Sequence, residues 1–209
     1  MSRHSSTLLS FWHTIVIMAA VGLLLGVILS LLRPLEYSST TRLLIIQQLG
    51  TVDAYTASRS AERVAEDITN VVYTSTFFQK VMASTSQIDQ DYFPGDEIRL
   101  RKMWGKTVDA IVTRGTGLLQ IIVYHQEAAQ AELIARALSS VIVTEGWQYT
   151  SGGSISIQLV DEPLNSRWPV RPNIPLNAFA GAFLGGLAGV GFVLLKAERI
   201  RRRHQLVHE

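Results

Sequence analysis

Two stretches of the chain carry no charge at all: Thr14–Leu32, nineteen residues, and Leu176–Leu195, twenty residues. Both reach the length that a hydrocarbon core about 30 Å thick demands of a helix, and each reads as one membrane-spanning segment. A secretory signal is the alternative for the first. Its apolar run exceeds the ~7 to 15 residues of a signal core, and "LLRPLEYSS" offers no small-residue cleavage site, so retention is expected.

Between the two runs the pattern changes period. "YSSTTRLLIIQ" (Tyr37 to Gln47) is rich in β-branched residues and reads as a strand. Ala57, Ala61, Val64, Ala65, Ile68, Val71 and Val72 then recur at helical spacing, with Arg59, Glu62, Arg63, Glu66 and Asp67 on the opposite face. A short helix is expected next, capped by Ser75 and turning Phe77, Phe78, Val81 and Met82 inward. "YFPGDE" punctuates the chain before a further helical stretch, Asp96 to Lys102. Val108, Ala110 and Val112 alternate, "RGTG" (Arg114 to Gly117) makes a turn, and "LLQIIVYH" (Leu118 to His125) follows as a second strand of a hairpin. From Glu127 a long helix buries Ala131, Ile134, Ala135, Leu138, Val141 and Ile142, and should end near Tyr149 because "SGGS" (Ser151 to Ser154) cannot propagate it. Ile155, Ile157 and Leu159 alternate with polar residues as a last strand. The expected fold is α+β, a ferredoxin-like or split β-α-β-β-α-β domain between two transmembrane helices. If its first and last strands pair antiparallel, both helices attach at one end of the sheet.

The expected domains are therefore an N-terminus at 1–13, a helix at 14–32, an α/β domain at 33–173 with a proline-rich stem at 163–175, a helix at 176–195 and a basic tail at 196–209. Pro169, Pro172 and Pro175 fall three apart, the period of polyproline II, and predict a stiff strut that fixes the domain over the membrane; a plain helix-start signal at Pro175 is the simpler reading. Gly181, Gly185 and Gly189, and likewise Gly22, Gly26 and Ser30, make small-xxx-small ridges that let helix backbones approach closely. Spacing leaves open whether the ridges pack on each other or on neighbouring copies.

Composition agrees with a mixed architecture: 209 residues, 47% apolar and a mean hydropathy of +0.21 are too greasy for an ordinary soluble domain. The +2 net charge hides an asymmetry. Residues 33–173 hold thirteen Lys and Arg against fifteen Asp and Glu, whereas the tail concentrates Lys196, Arg199, Arg201, Arg202 and Arg203. By the positive-inside rule the tail, and with two spans the N-terminus also, is expected in the cytoplasm, with the main domain outside it. Trp12 and Trp168 flank the spans, where amphipathic rings favour the interface. A basic patch interleaved with aromatics is missing from the loop, which disfavours nucleic acid as partner. With no cysteine, thiolate and disulfide chemistry are excluded.

Candidate chemistry is sparse, and neither a catalytic residue, a cofactor nor a metal site is expected. His125 is the only histidine between the two runs, too few for a metal cluster or a histidine-centred triad. Asp96/Glu97 and Asp161/Glu162 could serve a glycan hydrolase as paired carboxylates, but adjacent acids in turns are usually solvated and cap helices. "RGTG" and "SGGS" lack the strand, turn and helix context of a phosphate cradle. Arg99, Arg101, Lys102 and Lys106 form a modest basic cluster suited to an anionic polymer, a neighbouring copy or plain solvent.

"PLEYSSTTRLLI" after the first apolar run, "RGTGLLQIIVYHQEAAQAELIARALSSVIV" in the middle and "PVRPNIPLNAFAGAFLGG" opening the second together resemble the Wzz chain-length-determinant family, the bacterial polysaccharide co-polymerases. The resemblance covers essentially the whole chain. It implies a homo-oligomer in the bacterial cytoplasmic (inner) membrane, without catalytic activity or cofactor, acting beside a polysaccharide polymerase or export machinery. Two departures stand out. Only "QYTSGGS" joins the long helix to the last strand, leaving no chain for a tall helical protrusion. The tail has no Gly-x-x-x-x-Gly-Lys-Ser/Thr loop, and all six tyrosines precede the second apolar run. The chain thus resembles the short adaptor branch without a fused kinase, in which a separate cytoplasmic tyrosine kinase can dock on the tail through Arg199, Arg201, Arg202 and Arg203; anchoring on anionic membrane lipid is the alternative use of those residues.

Overall fold

The computed structural model describes residues 11–48, 53–149 and 154–206. Residues 1–10 of the expected N-terminus, "SGGS" before Ser154 and the tail beyond Leu206 lie outside the described residues. The chain divides into two units, Glu36–Val170 and the two terminal segments taken together.

The terminal unit is a pair of helices, α1 (Trp12–Leu31) and α6 (Ile174–Leu206). Both are long and apolar enough to cross a membrane. Asn173 starts α6 by accepting a hydrogen bond from the Leu176 amide at 3.1 Å, which satisfies one of the free N–H groups of the first turn. The helix does not stop at the end of the apolar run. It continues through the basic residues to Leu206, so residues 196–206 of the segment expected as a tail at 196–209 extend the same helix.

The central unit is a four-stranded antiparallel sheet with helices packed on one face, an α+β arrangement. Its elements run β1 (Tyr37–Gln48), α2 (Ala54–Val72), α3 (Ser75–Ser84), α4 (Glu97–Thr107), β2 (Val108–Val112), β3 (Leu118–His125), α5 (Ala128–Glu145) with a 3₁₀ turn (Gly146–Tyr149), and β4 (Ser154–Asn165). The strand order is β2-β3-β1-β4. First and last strands are neighbours and antiparallel, from Ser39 opposite Asn165 to Gln48 opposite Ser154. The start of β1 and the end of β4 therefore lie at the same end of the sheet.

Alternation in β3 sorts the two faces: Leu119, Ile121 and Val123 are buried under the helices, as are Leu43 and Ile45 of β1. Ala61, Val64, Ala65, Ile68 and Val72 of α2 and the whole expected stripe of α5 meet them. Glu62 departs from its expected polar face; it is buried, and Arg59 covers it with an ion pair of 2.7 Å. Thr74 rather than Ser75 caps α3, its side chain accepting from the Phe77 amide. Helix α4 runs past Lys102 to Thr107, and that last turn delivers Trp104 to the core, where its indole N–H donates to the Val72 carbonyl at 2.7 Å.

Strand β4 is longer than its alternation suggests. Register shifts between Thr40 and Arg42 and between Arg42 and Leu43 mark bulges beyond Leu159; Leu159 itself still stands opposite Leu43 and is 44% exposed on this edge strand. A bulged edge strand is also where a proline such as Pro163 is tolerated, since no ladder donor is lost in the middle of a sheet. The adjacent acids Asp161 and Glu162, expected in a turn, sit inside this strand.

Candidate functional site

The apolar helices meet through their smallest residues. A Cβ on Gly22 would strike the Gly181 carbonyl oxygen, one on Gly181 the Gly22 carbonyl, and one on Gly185 the Met18 carbonyl. Gly26 faces the Asn177 carbonyl, and Gly189 lies against Ile15, with 3.0 Å from its would-be Cβ to the Ile15 Cα. The two ridges thus pack on each other within one chain, glycine letting the two backbones approach closely. Gly191 has open space around it and takes no part in the seam.

One end of the seam is polar. Ser30, 2% exposed, accepts a hydrogen bond from the Asn177 side-chain amide at 3.0 Å. Ser30 stands out in the sequence only as a small residue, and Asn177 not at all. The available signal is an amide in an otherwise apolar run, which needs a partner there. At the other end the Lys196 ammonium lies 5.4 Å from the Phe11 ring centroid, a cation–π contact. Arg199 is exposed, and Arg201, Arg202 and Arg203 lie on helical backbone.

The three prolines occupy three different settings. Pro169 follows a bend at Arg167 and Trp168 beside the start of β1, where Ser166 N–H donates to the Ser38 carbonyl and Val170 N–H to the Glu36 carbonyl, both at 2.8 Å. Pro172 follows a cis peptide. Pro175 is in the first turn of α6, a position where its missing N–H leaves no helix bond unmade. A single polyproline ridge running through Pro175 is therefore not formed: Pro175 is helical, and the chain ahead of Pro169 bends at Arg167 and Trp168.

In the central unit the candidate chemical groups are engaged structurally. His125 is buried, its Nδ1 accepts from the Glu127 N–H at 3.0 Å, and the Tyr92 ring packs 4.1 Å away. Burial pushes its pKa below the ordinary 6.5, with the backbone contact at Glu127 opposing. Asp96 caps α4 by accepting from the Arg99 N–H, while Glu97 pairs with Arg101 at 2.7 Å. Asp161 pairs with Arg42 at 3.0 Å on the uncovered sheet face, and Arg42 also reaches Gln120 at 3.4 Å. Glu162 comes only to 4.0 Å from Arg136. "RGTG" is a hairpin turn, with Gly115 at φ +72°, a left-handed geometry that glycine adopts without a Cβ penalty. Ser58 donates to the Gly115 carbonyl and Ile45 N–H to that of Gly117, so these carbonyls are committed to the fold. Arg99 and Lys102 are exposed on α4 beside Ile98. No group of three or more metal-ligating side chains occurs among the described residues.

A comparison of the chain with protein-family models finds no match, and a comparison with curated proteins finds none.

Proposed function

We propose that this chain is a non-catalytic membrane scaffold that, as a homo-oligomer, regulates the chain length, polymerisation or export of a bacterial surface polysaccharide. The observation that carries the reading is the pairing of β1 with β4, by which the chain leaves the sheet toward both apolar helices at one end. Together with the β2-β3-β1-β4 order and the helices on one face, it supports a ferredoxin-like domain held at the membrane by its two termini. Tight in-chain helix packing gives that base rigidity. In this reading both termini are cytoplasmic, the sheet domain is outside, and the oligomer's geometry beside a polymerase or translocase sets how long a growing chain is retained. The test is a deletion strain: surface polymer should lose its defined size range on a gel, and the solubilised protein should have the mass of several chains. Unchanged polymer, or a stable monomer at working concentration, refutes it.

A second reading is favoured by the continuity of α6. Its thirty-three residues span about 50 Å at helical rise, more than a hydrocarbon core about 30 Å thick takes up. The excess places exposed Arg199 on helix beyond the apolar run, suited to a cytoplasmic tyrosine kinase that the chain would activate as an adaptor. Removing Lys196 to Glu209 should then abolish the kinase's phosphorylation and leave the oligomer intact.

A further inference from the structure

Beside the helix seam runs an open groove of about 550 Å³, walled by Leu25, Leu29 and Leu184 and floored by glycine and alanine. It extends along α1 from Gly22 and past that helix's end to Arg33, and on α6 from Ala188 to Asn177. The eleven residue steps along α6 at helical rise make it about 16 Å long, half of a hydrocarbon core about 30 Å thick. That is the depth of one leaflet.

The two ends differ in chemistry. The Gly22 and Ala188 end is apolar, whereas Arg33 and Asn177 line the other. Arg33 is exposed, and its guanidinium makes no ion pair or side-chain hydrogen bond among the described residues. An uncommitted cation thus stands where a slot of leaflet depth meets the headgroup layer. We propose that this groove binds one anionic phospholipid, its acyl chain along the glycine floor and its phosphate on Arg33 with the Asn177 amide alongside. Guanidinium recognises phosphate through a fork of donors, and net negative charge at the headgroup separates this ligand from the zwitterionic lipid of the bulk annulus.

The inference rests on the membrane reading above, and alkaline carbonate washing tests that reading separately: a chain released from membranes fails both, one that stays fails at most this one. The full-length protein in detergent is then examined by native mass spectrometry with dioleoyl phosphatidylglycerol, dioleoyl phosphatidylcholine or inorganic phosphate. One phosphatidylglycerol per chain should survive activation that strips phosphatidylcholine, and millimolar phosphate should not displace it. Arg33→Gln should lower retention about tenfold, the equivalent of about 1.4 kcal/mol, while Arg33→Lys, which keeps the charge without the fork, falls between the two, and Ala188→Leu, which fills the apolar end, weakens it. Equal retention of both lipids, no effect of Arg33→Gln, or displacement by phosphate alone overturns the proposal. So does a lipid-free dimer that Ala188→Leu splits, since the groove would then belong to a second copy.

Discussion

Burial gives His125 a role in folding. Its Nδ1 accepts the Glu127 N–H just ahead of α5, an arrangement that needs a neutral ring. Because burial lowers its pKa from 6.5 in the folded chain, the unfolded chain binds more protons as pH falls below about 6.5. Its contribution is full above that pH and is lost as pH falls toward the folded value. Melting temperature should therefore drop between pH 7 and 5 in the parent, and the His125→Gln variant should show a shallower slope over the same interval. Trp104 is the companion case. It fills the core between α2, α3 and α4, edge-on to Phe78 and Phe93 at 5.1 and 6.0 Å. Trp104→Ala should cost about 3 to 5 kcal/mol by cavity formation, seen as a large loss of thermal stability. Trp104→Phe retains much of the volume but leaves the Val72 carbonyl without its donor, a smaller loss of about 1 to 3 kcal/mol.

At the scale of elements, the glycine seam is the most sharply constrained feature. Gly185→Leu would drive a side chain into the Met18 carbonyl, and backbone cannot yield as a flexible side chain can. The absence of cysteine makes the seam measurable. Ser30 and Asn177 touch through their side chains at 3.0 Å, so a Ser30→Cys, Asn177→Cys pair should oxidise within one chain, and adding Gly185→Leu should suppress that bond. A disulfide between two chains would instead place the seam at an interface of copies. The ridges themselves were legible as spacing, but the partner of each was not, because period reveals a helix face and says nothing of what lies opposite. Elsewhere the same limit recurs. Strand β3 and helix α5 show one clean period each, and their buried residues match it. The sequence predicts α4 only to Lys102 because Gly105 and two lysines mask Trp104, which anchors the last turn through one indole bond. Alternation predicts β4 only to Leu159, because the bulges that follow it opposite Arg42 and Thr40 shift the register just where acids and a proline suggest a turn. The proline triplet misled by spacing alone: hydrogen bonds to β1 claim the chain before Pro172, and helix geometry claims Pro175.

For the whole molecule, scaffold and hydrolase make opposite demands on the uncovered sheet face. A hydrolase reading would rest on Asp161 and Glu162 as its acids. In the fold Asp161 is tied to Arg42, with both side chains about half exposed, and a pair so placed contributes at most about 1 kcal/mol. Changing both acids to their amides should thus leave the fold and oligomer mass unaltered. A scaffold acts through the arrangement of its copies and does not require either proton-transferring carboxylate, so surface polymer should keep its size range in the Asp161→Asn, Glu162→Gln strain. A glycan hydrolase needs an acid and a second carboxylate at every turnover, so the same strain would match the full deletion. Running the tail truncation after Leu195 beside it separates the remaining pair of readings: a scaffold that needs only its membrane base and outer domain retains size control, whereas a kinase adaptor loses it together with the partner's phosphorylation.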